Sequence, residues 1–521
     1  MGLGFRLQNA SRIMDCMDPL MSLMPPNPLT SLPAMALRAT MASMPRSYRW
    51  PRLRQCRAIL GCAAVVVAMP LHALAAGGLP ATVEAALQRA QVPREALSVV
   101  VLPAAAQGKG APLISHRAQV PVNPASLMKL VTTTVALDQL GPAFTWSTPV
   151  YVDGVVREGV LQGHVYLRGQ GDPRLGVERL WLLLRRLQGL GIQRIEGDIV
   201  LDRSAFEVPA RDPGGFDGEP LRPYNASPDA LLINFKSVLM HFVPDRAAQV
   251  ARVHVEPPLA GVQFPASVPL SAGECLDYRA GLRLDWQDPV RPRLAGSYPA
   301  SCGERLWPLA HPDPARFAAR AIEGMWQQLG GQLRGSVRDG QVPAGLRPAF
   351  TVESPPLAEV VRDINKFSNN VMAQQLFLTL SWQAQGLGRF EASRELVTRW
   401  WRNRMGAEEL VLDNGSGLSR QERITATGLA RLLTHAWASP YASELMSSLP
   451  LAGQDGTLRR QASTTVAHLK TGSLRDVVGV AGFVDNARGE RWVVVAIINH
   501  AQAQAARGAL EAVVEWVGRR P

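Results

Sequence analysis

Lysine is scarce in this sequence. Of its 55 basic residues only five are lysines, and all the others are arginines. The five are Lys109, Lys129, Lys236, Lys366 and Lys470. Arginine stays protonated in proteins, whereas a buried lysine can lose its proton and act as a base. Each lysine is therefore a candidate for a chemical role.

The chain also has few aromatic residues, 6% of the total, and only 19% of its 521 residues are charged. Together with a hydrophobic fraction of 47%, this composition is typical of a globular protein and excludes a mainly disordered or fibrous one. The length predicts roughly two to four domains.

A concentrated basic run is absent, although the net charge is +12. Eight arginines and two aspartates fall within residues 1–75, so residues 76–521 carry a net charge of only +6. This modest excess argues against a nucleic-acid partner and allows at most weak peripheral contact with a membrane surface.

A long hydrophobic run is absent too. The longest candidate, Ala58–Met69, is shorter than the about 20 residues that span a bilayer. It follows five arginines between Arg46 and Arg57 and precedes Ala73-Leu74-Ala75, a small-x-small cleavage pattern. We therefore predict that residues 1–75 are a signal peptide with an upstream extension and that the protein is periplasmic. A retained anchor is the alternative.

Only two cysteines, Cys275 and Cys302, follow the predicted signal peptide. An even number of cysteines in an exported chain favours a disulfide, with two free thiols as the alternative. No cluster of cysteine and histidine has the spacing of a zinc site, so we expect no metal and no other cofactor.

The pattern of apolar residues predicts a chain of mixed helices and strands. Proline near the start and Gly141 at the end bound a helix from Asn123 to Leu140, and the apolar run 492–498 predicts a buried strand. Residues 146–208 and a stretch from about Arg211 to Gly296 are rich in predicted strands.

Ser126-x-x-Lys129 lies at the start of the predicted helix. This spacing puts a hydroxyl and an amine one turn apart on the same face, close enough for proton transfer. Ser126 is the only serine that stands three residues before a lysine.

Two further segments carry candidate site residues. Ser368-x-Asn370 offers a hydroxyl to relay a proton and a carboxamide to bind a substrate amide, although the motif taken alone is little more than a polar helix cap. Lys470-Thr471-Gly472-Ser473 lies on a predicted strand. There the glycine lets a substrate backbone lie alongside, and the cation can meet a carboxylate.

In this order, the three motifs resemble those of penicillin-binding proteins and serine β-lactamases. The long separation of Ser126 from Ser368 makes the chain similar to the D-alanyl-D-alanine carboxypeptidase/endopeptidase family, the class C low-molecular-mass penicillin-binding proteins. Three further stretches agree with that family. They are Arg168-Gly169-Gln170-Gly171-Asp172-Pro173, Tyr224-Asn225-Ala226-Ser227-Pro228 and Asp413-Asn414-Gly415-Ser416-Gly417-Leu418-Ser419-Arg420.

The resemblance implies an α/β (α+β) fold, a penicillin-binding/β-lactamase-like transpeptidase domain with β-rich domains inserted between the first and second motifs. We expect residues 76–145 and 346–521 to form the catalytic domain and 146–345 the insertion. Within it, 146–208 and 297–345 would form one domain and 209–296 a nested second one.

The resemblance also implies the role of each site residue. Ser126 attacks the carbonyl of the penultimate D-alanine of a peptidoglycan stem peptide, and Lys129 is the neutral general base. Ser368 passes a proton to the departing amine. Asn370 orients the substrate amide, while Lys470 and Thr471 bind the terminal carboxylate beside Gly472. The N–H groups of Ser126 and Ser473 form the oxyanion hole.

Water then hydrolyses the acyl-enzyme, which gives carboxypeptidase action, endopeptidase action on crosslinks, or both. β-Lactam antibiotics would acylate the same serine and act as inhibitors. A β-lactamase or esterase of the same fold is the main alternative. A non-catalytic wall-binding protein is a second one, but it would need a broken motif, and all three motifs are complete.

Overall fold

The structure is a computed structural model, and it describes residues 78–106, 111–406 and 409–521. The predicted signal peptide, residues 1–75, lies outside the described residues. Across these ranges, no helix is both long and apolar enough to cross a membrane.

Helices and strands are mixed throughout the described chain, which confirms the predicted fold class. The helices are α1 (Ala81–Arg89), α2 (Met128–Leu140), α3 (Val177–Gly189), α4 (Phe317–Gln328), α5 (Leu357–Phe367), α6 (Asn370–Gln385), α7 (Phe390–Met405), α8 (Ala426–Trp437), α9 (Ala442–Ser448) and α10 (Arg507–Gly518).

The strands form sheets of two to seven members. They are β1 (Leu97–Pro103), β2 (Ile114–His116), β3 (Ser147–Arg157), β4 (Val160–Arg168), β5 (Arg194–Ile195), β6 (Ile199–Asp202), β7 (Ser237–Asp245), β8 (Val250–Glu256), β9 (Ser267–Ser271), β10 (Leu282–Asp285), β11 (Arg293–Gly296), β12 (Tyr298–Pro299), β13 (Arg305–Ala310), β14 (Gln332–Leu333), β15 (Val337–Asp339), β16 (Phe350–Glu353), β17 (Leu410–Val411), β18 (Arg423–Ile424), β19 (Ala467–Leu474), β20 (Val477–Asp485) and β21 (Arg491–Asn499).

The first sheet has the antiparallel order β19-β20-β21-β1-β2 and joins the two ends of the described chain. In β21 the run 493–498 is buried, as the apolar pattern predicts. Because side chains alternate along a strand, Val493 and Val495 pack into a core with α2 and α8, while Val494 and Ala496 pack into a core with α1 and α10. Helices therefore cover both faces of this sheet.

The region between the first two motifs contains the other large sheets. One has seven strands, in the order β14-β5-β4-β3-β16 with β6 and β15 beside them, and another has the order β12-β9-β8-β7-β13. Residues 211–236, expected to begin the β-rich stretch, contain short 3₁₀ turns rather than strands. Prolines at 213, 220, 223 and 228 lack the N–H that a strand ladder needs.

Strand pairing differs from the predicted boundaries at two places. β13, expected in the outer inserted domain, pairs with β7 of the nested one along its whole length. β16, expected in the catalytic domain, pairs with β3 of the insertion. The choice of strand partner depends on contacts distant in sequence, which a pattern of apolar residues does not contain.

Cys275 and Cys302 form a disulfide, as predicted from their even number. Cys302 is buried in the core of the insertion, where Phe242 and Tyr298 stack with ring centroids 5.3 Å apart.

Helix α2 lies deep in the catalytic core, because every side chain from Met128 to Leu137 is buried. A 3₁₀ turn, Ala125–Leu127, precedes the helix, and Gly141 ends it with a φ of +78°. The predicted helix is thus confirmed, but its first turn is tighter than an α-helical turn. That turn carries Ser126.

Candidate active site

Ser126 and Lys129 face each other across one turn. The Lys129 amine lies 3.0 Å from the Ser126 hydroxyl, and the lysine side chain is completely buried. Ala125, just before the serine, has a φ of +48°, which is uncommon for a residue with a Cβ atom. Such strained backbone persists only where surrounding contacts hold it, and here it lies beside the serine.

The second motif lies at a junction of two helices. Ser368 ends α5 with a φ of +56°, and Asn369 caps α6 by accepting a hydrogen bond of 3.0 Å from the Met372 N–H. Asn370 is the first residue of α6, and its side-chain oxygen accepts a hydrogen bond of 2.6 Å from Lys129. The serine and the asparagine thus stand on either side of Asn369, the residue that caps α6.

The third motif lies on β19, at the edge of the first sheet. The Lys470 amine donates a hydrogen bond of 2.9 Å to the Ser368 hydroxyl and one of 2.7 Å to the Thr471 carbonyl. A Cβ atom at Gly472 would lie 2.7 Å from the Pro124 carbonyl oxygen, so only glycine lets this strand approach the turn that carries Ser126. All three motifs thus meet at one place.

Beyond Leu469, the edge of β19 that points away from β20 has no strand partner among the described residues. The Leu469 N–H donates to the Pro450 carbonyl at 2.9 Å, on the side of β19 away from β20. Backbone N–H groups alternate along a strand, so the N–H groups of Thr471 and Ser473 point to the same edge. The Ser473 N–H therefore points away from β20, beside the glycine that touches the serine turn.

The side chains of Thr471 and Ser473 project on the opposite face from Lys470, because their positions alternate with it. The Thr471 hydroxyl lies 2.8 Å from the Thr457 hydroxyl. The Ser473 hydroxyl accepts a hydrogen bond of 2.9 Å from Arg507, the first residue of α10. This exposed rim thus combines hydroxyl groups with a permanent positive charge.

Both lysines of the site have lowered pKa values. Burial lowers the pKa of Lys129 to about 7, while the charge of Glu422 acts in the opposite direction. Burial also places the pKa of Lys470 well below its ordinary value, and the neighbouring Lys129 charge lowers it further. The Lys129 amine, with a pKa of about 7, is therefore partly neutral near pH 7 and can accept a proton.

Sequence reasoning missed one contributor to the site, the Asp413–Gly417 loop. Its Ser416 carbonyl accepts a hydrogen bond from Lys129. A Cβ atom at Gly417 would lie 2.0 Å from the Ala125 carbonyl oxygen and 2.7 Å from the Ser126 Cα. In the sequence, Gly415 and Gly417 already indicate close packing of this loop, but they do not show which residues pack against it.

Lys366 stands two residues before Ser368, in the last turn of α5. Its amine is buried and donates hydrogen bonds of 2.6 Å to the Asp455 carboxylate and 2.6 Å to the Leu449 carbonyl. It thereby fixes the segment that carries Thr457.

Comparisons with known proteins identify the family of the chain. Residues 79–520 match the model of the D-Ala-D-Ala carboxypeptidase 3 (S13) family. A D-alanyl-D-alanine carboxypeptidase of an Actinomadura species is 29% identical, over 84% of this chain and 86% of its own length. The D-alanyl-D-alanine carboxypeptidase DacB of Haemophilus influenzae is 27% identical, over 72% of this chain and 80% of its own.

A solved structure shares the fold. The crystal structure of penicillin binding protein 4 (dacB) from Haemophilus influenzae matches with a TM-score of 0.67 at 24% identity, over 84% of this chain and 99% of the other. With the family model covering most of its length, the chain belongs to the D-Ala-D-Ala carboxypeptidase 3 (S13) family and is a serine D,D-peptidase.

Proposed function

We propose that this peptidase removes the terminal D-alanine from peptidoglycan stem peptides through an acyl-enzyme on Ser126. The observation that carries the proposal is the buried Lys129 amine, 3.0 Å from the Ser126 hydroxyl. A serine hydroxyl is a weak nucleophile unless a nearby base takes its proton, and this amine is the nearest basic group in the described site.

Lys129 acts as the general base. Its pKa of about 7 leaves much of the amine neutral at physiological pH. The neutral amine accepts the Ser126 proton while the serine oxygen attacks the carbonyl of the penultimate D-alanine. Asn370 and the Ser416 carbonyl also accept from this amine and hold it in place. We therefore give Asn370 this positioning role in addition to its expected contact with the substrate amide.

The developing negative charge on the carbonyl oxygen is stabilised by the N–H groups of Ser126 and Ser473. The open edge of β19 and the close approach of Gly472 to the serine turn support this oxyanion hole. Removal of one such donor typically costs about 10²–10³ in rate.

Ser368 delivers the proton to the departing amine. Its hydroxyl accepts a hydrogen bond from Lys470, whose lowered pKa makes it able to exchange a proton. The tetrahedral intermediate then collapses, the bond to the last D-alanine breaks, and Ser126 keeps the acyl group. Ser368 recovers its proton from Lys470, and Lys129 returns the proton that it took from Ser126 to this relay, so that Lys129 is neutral again. The neutral Lys129 then takes a proton from water as the water attacks the acyl carbon, the peptide leaves with a new carboxyl group, and Ser126 recovers its proton from Lys129.

The terminal carboxylate of the substrate binds to the Thr471 and Ser473 hydroxyls, with Arg507 supplying the charge. Lys470 was expected to contact this carboxylate, but its amine is buried and hydrogen-bonded to Ser368. Arg507 is exposed and contacts the Ser473 hydroxyl, and a guanidinium stays charged at every relevant pH.

β-Lactam antibiotics acylate Ser126 and inhibit the enzyme. Support comes from the Haemophilus influenzae relative, whose structure has also been solved in complex with a β-lactam. The same site can cleave a crosslink after D-alanine, so endopeptidase action on peptidoglycan remains part of the proposal.

The proposed place of action is the periplasm, with residues 1–75 as the export signal and at most weak membrane contact. The proposed division into a catalytic domain, 76–145 and 346–521, and an insertion is supported by the separate sheets. In view of the strand pairing, we move β16 to the insertion and extend its nested part to β13.

The test is release of D-alanine from a pentapeptide that ends in D-Ala-D-Ala. We expect release by the wild type and none by Ser126→Ala. Rapid and repeated hydrolysis of penicillin, with no D-alanine released, would favour the β-lactamase alternative instead.

A further inference from the structure

Glu422 is a completely buried acid at the base of the Asp413–Gly417 loop. One carboxylate oxygen, Oε1, accepts hydrogen bonds from three consecutive backbone N–H groups. The donors are Asp413 at 3.2 Å, Asn414 at 3.2 Å and Gly415 at 3.1 Å. The other oxygen, Oε2, is buried and has no hydrogen-bond partner among the described residues.

Burial of a carboxylate in this way costs free energy of folding, so filling space does not by itself explain the residue. Glutamate is rarely fully buried without a paired cation, and an unpaired buried polar atom opposes folding. A side chain with a neutral carbonyl oxygen could accept the same three hydrogen bonds. Support of the loop backbone therefore does not explain why this residue is an acid.

The opposite side of the loop contacts the catalytic helix. The Thr132 hydroxyl donates to the Gly415 carbonyl at 2.6 Å, the Lys129 amine donates to the Ser416 carbonyl, and Gly417 packs on Ser126. Thr132, Lys129 and Ser126 all lie on the same side of α2 and of the turn before it. A shift of the loop would therefore move the partners of both reacting side chains.

We propose that Glu422 is a positioning residue of the reaction, which fixes the Asp413–Gly417 loop and, through the Ser416 carbonyl and its own charge, holds Lys129 ready as the base. The inference rests on the proposed role of Lys129. It deepens that role by identifying what orients the amine and keeps it basic.

The charge of Glu422 acts on the pKa of Lys129. Burial lowers the pKa of Lys129, and the Glu422 charge raises it, so the result is an amine with a pKa of about 7. A much lower pKa would leave an amine too weak to take the serine proton. Burial raises the pKa of Glu422 itself to about 7, against the three N–H bonds. Two further charges act here. The charge of Lys129 lowers the pKa of Lys470, and the charge of Asp413 raises the pKa of Glu422.

The experiment measures the second-order rate of penicillin acylation from pH 5 to 10 in the wild-type protein and in Glu422→Gln. Glutamine keeps the oxygen that accepts the three N–H bonds but removes the charge. We expect the midpoint of the acid limb of the pH–rate profile to move to lower pH by roughly one unit, because Lys129 loses a neighbouring negative charge. We also expect the rate at the plateau to fall severalfold, because the amine is a weaker base.

Glu422→Ala removes both the charge and the three hydrogen bonds. We expect its plateau rate to fall by about 10²-fold, since a small misplacement of a reacting group has effects of this size. Glu511→Gln, at an exposed position of α10, is the matched control and should behave as the wild type.

The inference is overturned if Glu422→Gln folds and keeps both the wild-type profile midpoint and the wild-type plateau rate. A purely structural glutamate would lower the melting temperature but leave the midpoint in place. If Glu422→Ala fails to fold, the midpoint and plateau rate of Glu422→Gln alone decide whether the inference holds. A wild-type protein that penicillin never acylates would instead contradict the proposed function itself.

Discussion

The Lys129 amine lies 2.6 Å from the side-chain oxygen of Asn370, although 241 positions separate the two residues in the chain. The contact joins the first motif to the second across the whole insertion. Lys470 joins the third motif to the second in the same way, through its 2.9 Å hydrogen bond to Ser368. The buried amines are thus the connections that assemble the site.

The rate of acylation should depend on the protonation of Lys129. Because the base must be neutral, we expect the penicillin acylation rate of the wild type to fall as the pH drops through about 7. Stopped-flow or quench measurements between pH 5 and 9 give the midpoint. A rate that stays constant over this range would contradict a titrating base.

Ser368→Ala should slow amide substrates more than activated ones. An amide leaves only when its nitrogen receives a proton, and such general acid catalysis contributes about 10²–10⁴-fold. A thioester substrate has a good leaving group and needs no such proton. We therefore expect a much larger loss of kcat for the peptide than for the thioester. Ser443→Ala, on the exposed side of α9, is the control. Equal losses on both substrates would argue against proton delivery by Ser368.

Arg507→Ala should weaken recognition of a free carboxylate. We expect kcat/KM for a peptide ending in D-Ala-D-Ala to fall by about tenfold, with little change for the same peptide as a C-terminal amide. Arg519→Ala, at the other end of α10, serves as the control because its side chain pairs with Glu515. If the acid and the amide lose activity equally, Arg507 does not bind the carboxylate.

Gly417→Ala should disable the site, whereas Gly489→Ala should only destabilise the fold. The two glycines have similar φ values, +81° and +77°, so an alanine costs about 1–2 kcal/mol of backbone strain at each. A Cβ atom at Gly417 would also collide with the Ala125 carbonyl and the Ser126 Cα, while space around Gly489 is open.

Melting temperatures and penicillin acylation rates separate the two effects. We expect both variants to melt at lower temperature and only Gly417→Ala to lose acylation. Normal acylation by Gly417→Ala would mean that the loop does not constrain the serine turn.

The motif residues to which we assign the acylation chemistry could be proposed from the sequence alone, because each motif combines unusual residue types at a short, fixed spacing. Lys129 and Lys470 stood out since lysine is so rare in this chain. The buried strand β21 was equally clear, because apolar residues fill positions 492–498 without interruption.

Residues outside the three motifs left no such signal. Glu422 binds N–H groups of Asp413, Asn414 and Gly415, and any residue type has those groups. Arg507 is one of many exposed arginines, and only folding brings it beside Ser473. The partner of β13 was missed for a related reason, since pairing depends on positions far apart in the sequence.

The most direct test of the account is the intact mass of the protein after incubation with penicillin, measured beside Ser126→Ala. We predict that the wild type gains the mass of one penicillin molecule and that the variant gains none. The same gain in both proteins would place the acylated nucleophile elsewhere. No gain in either, with the drug left intact, would contradict the acyl-enzyme mechanism.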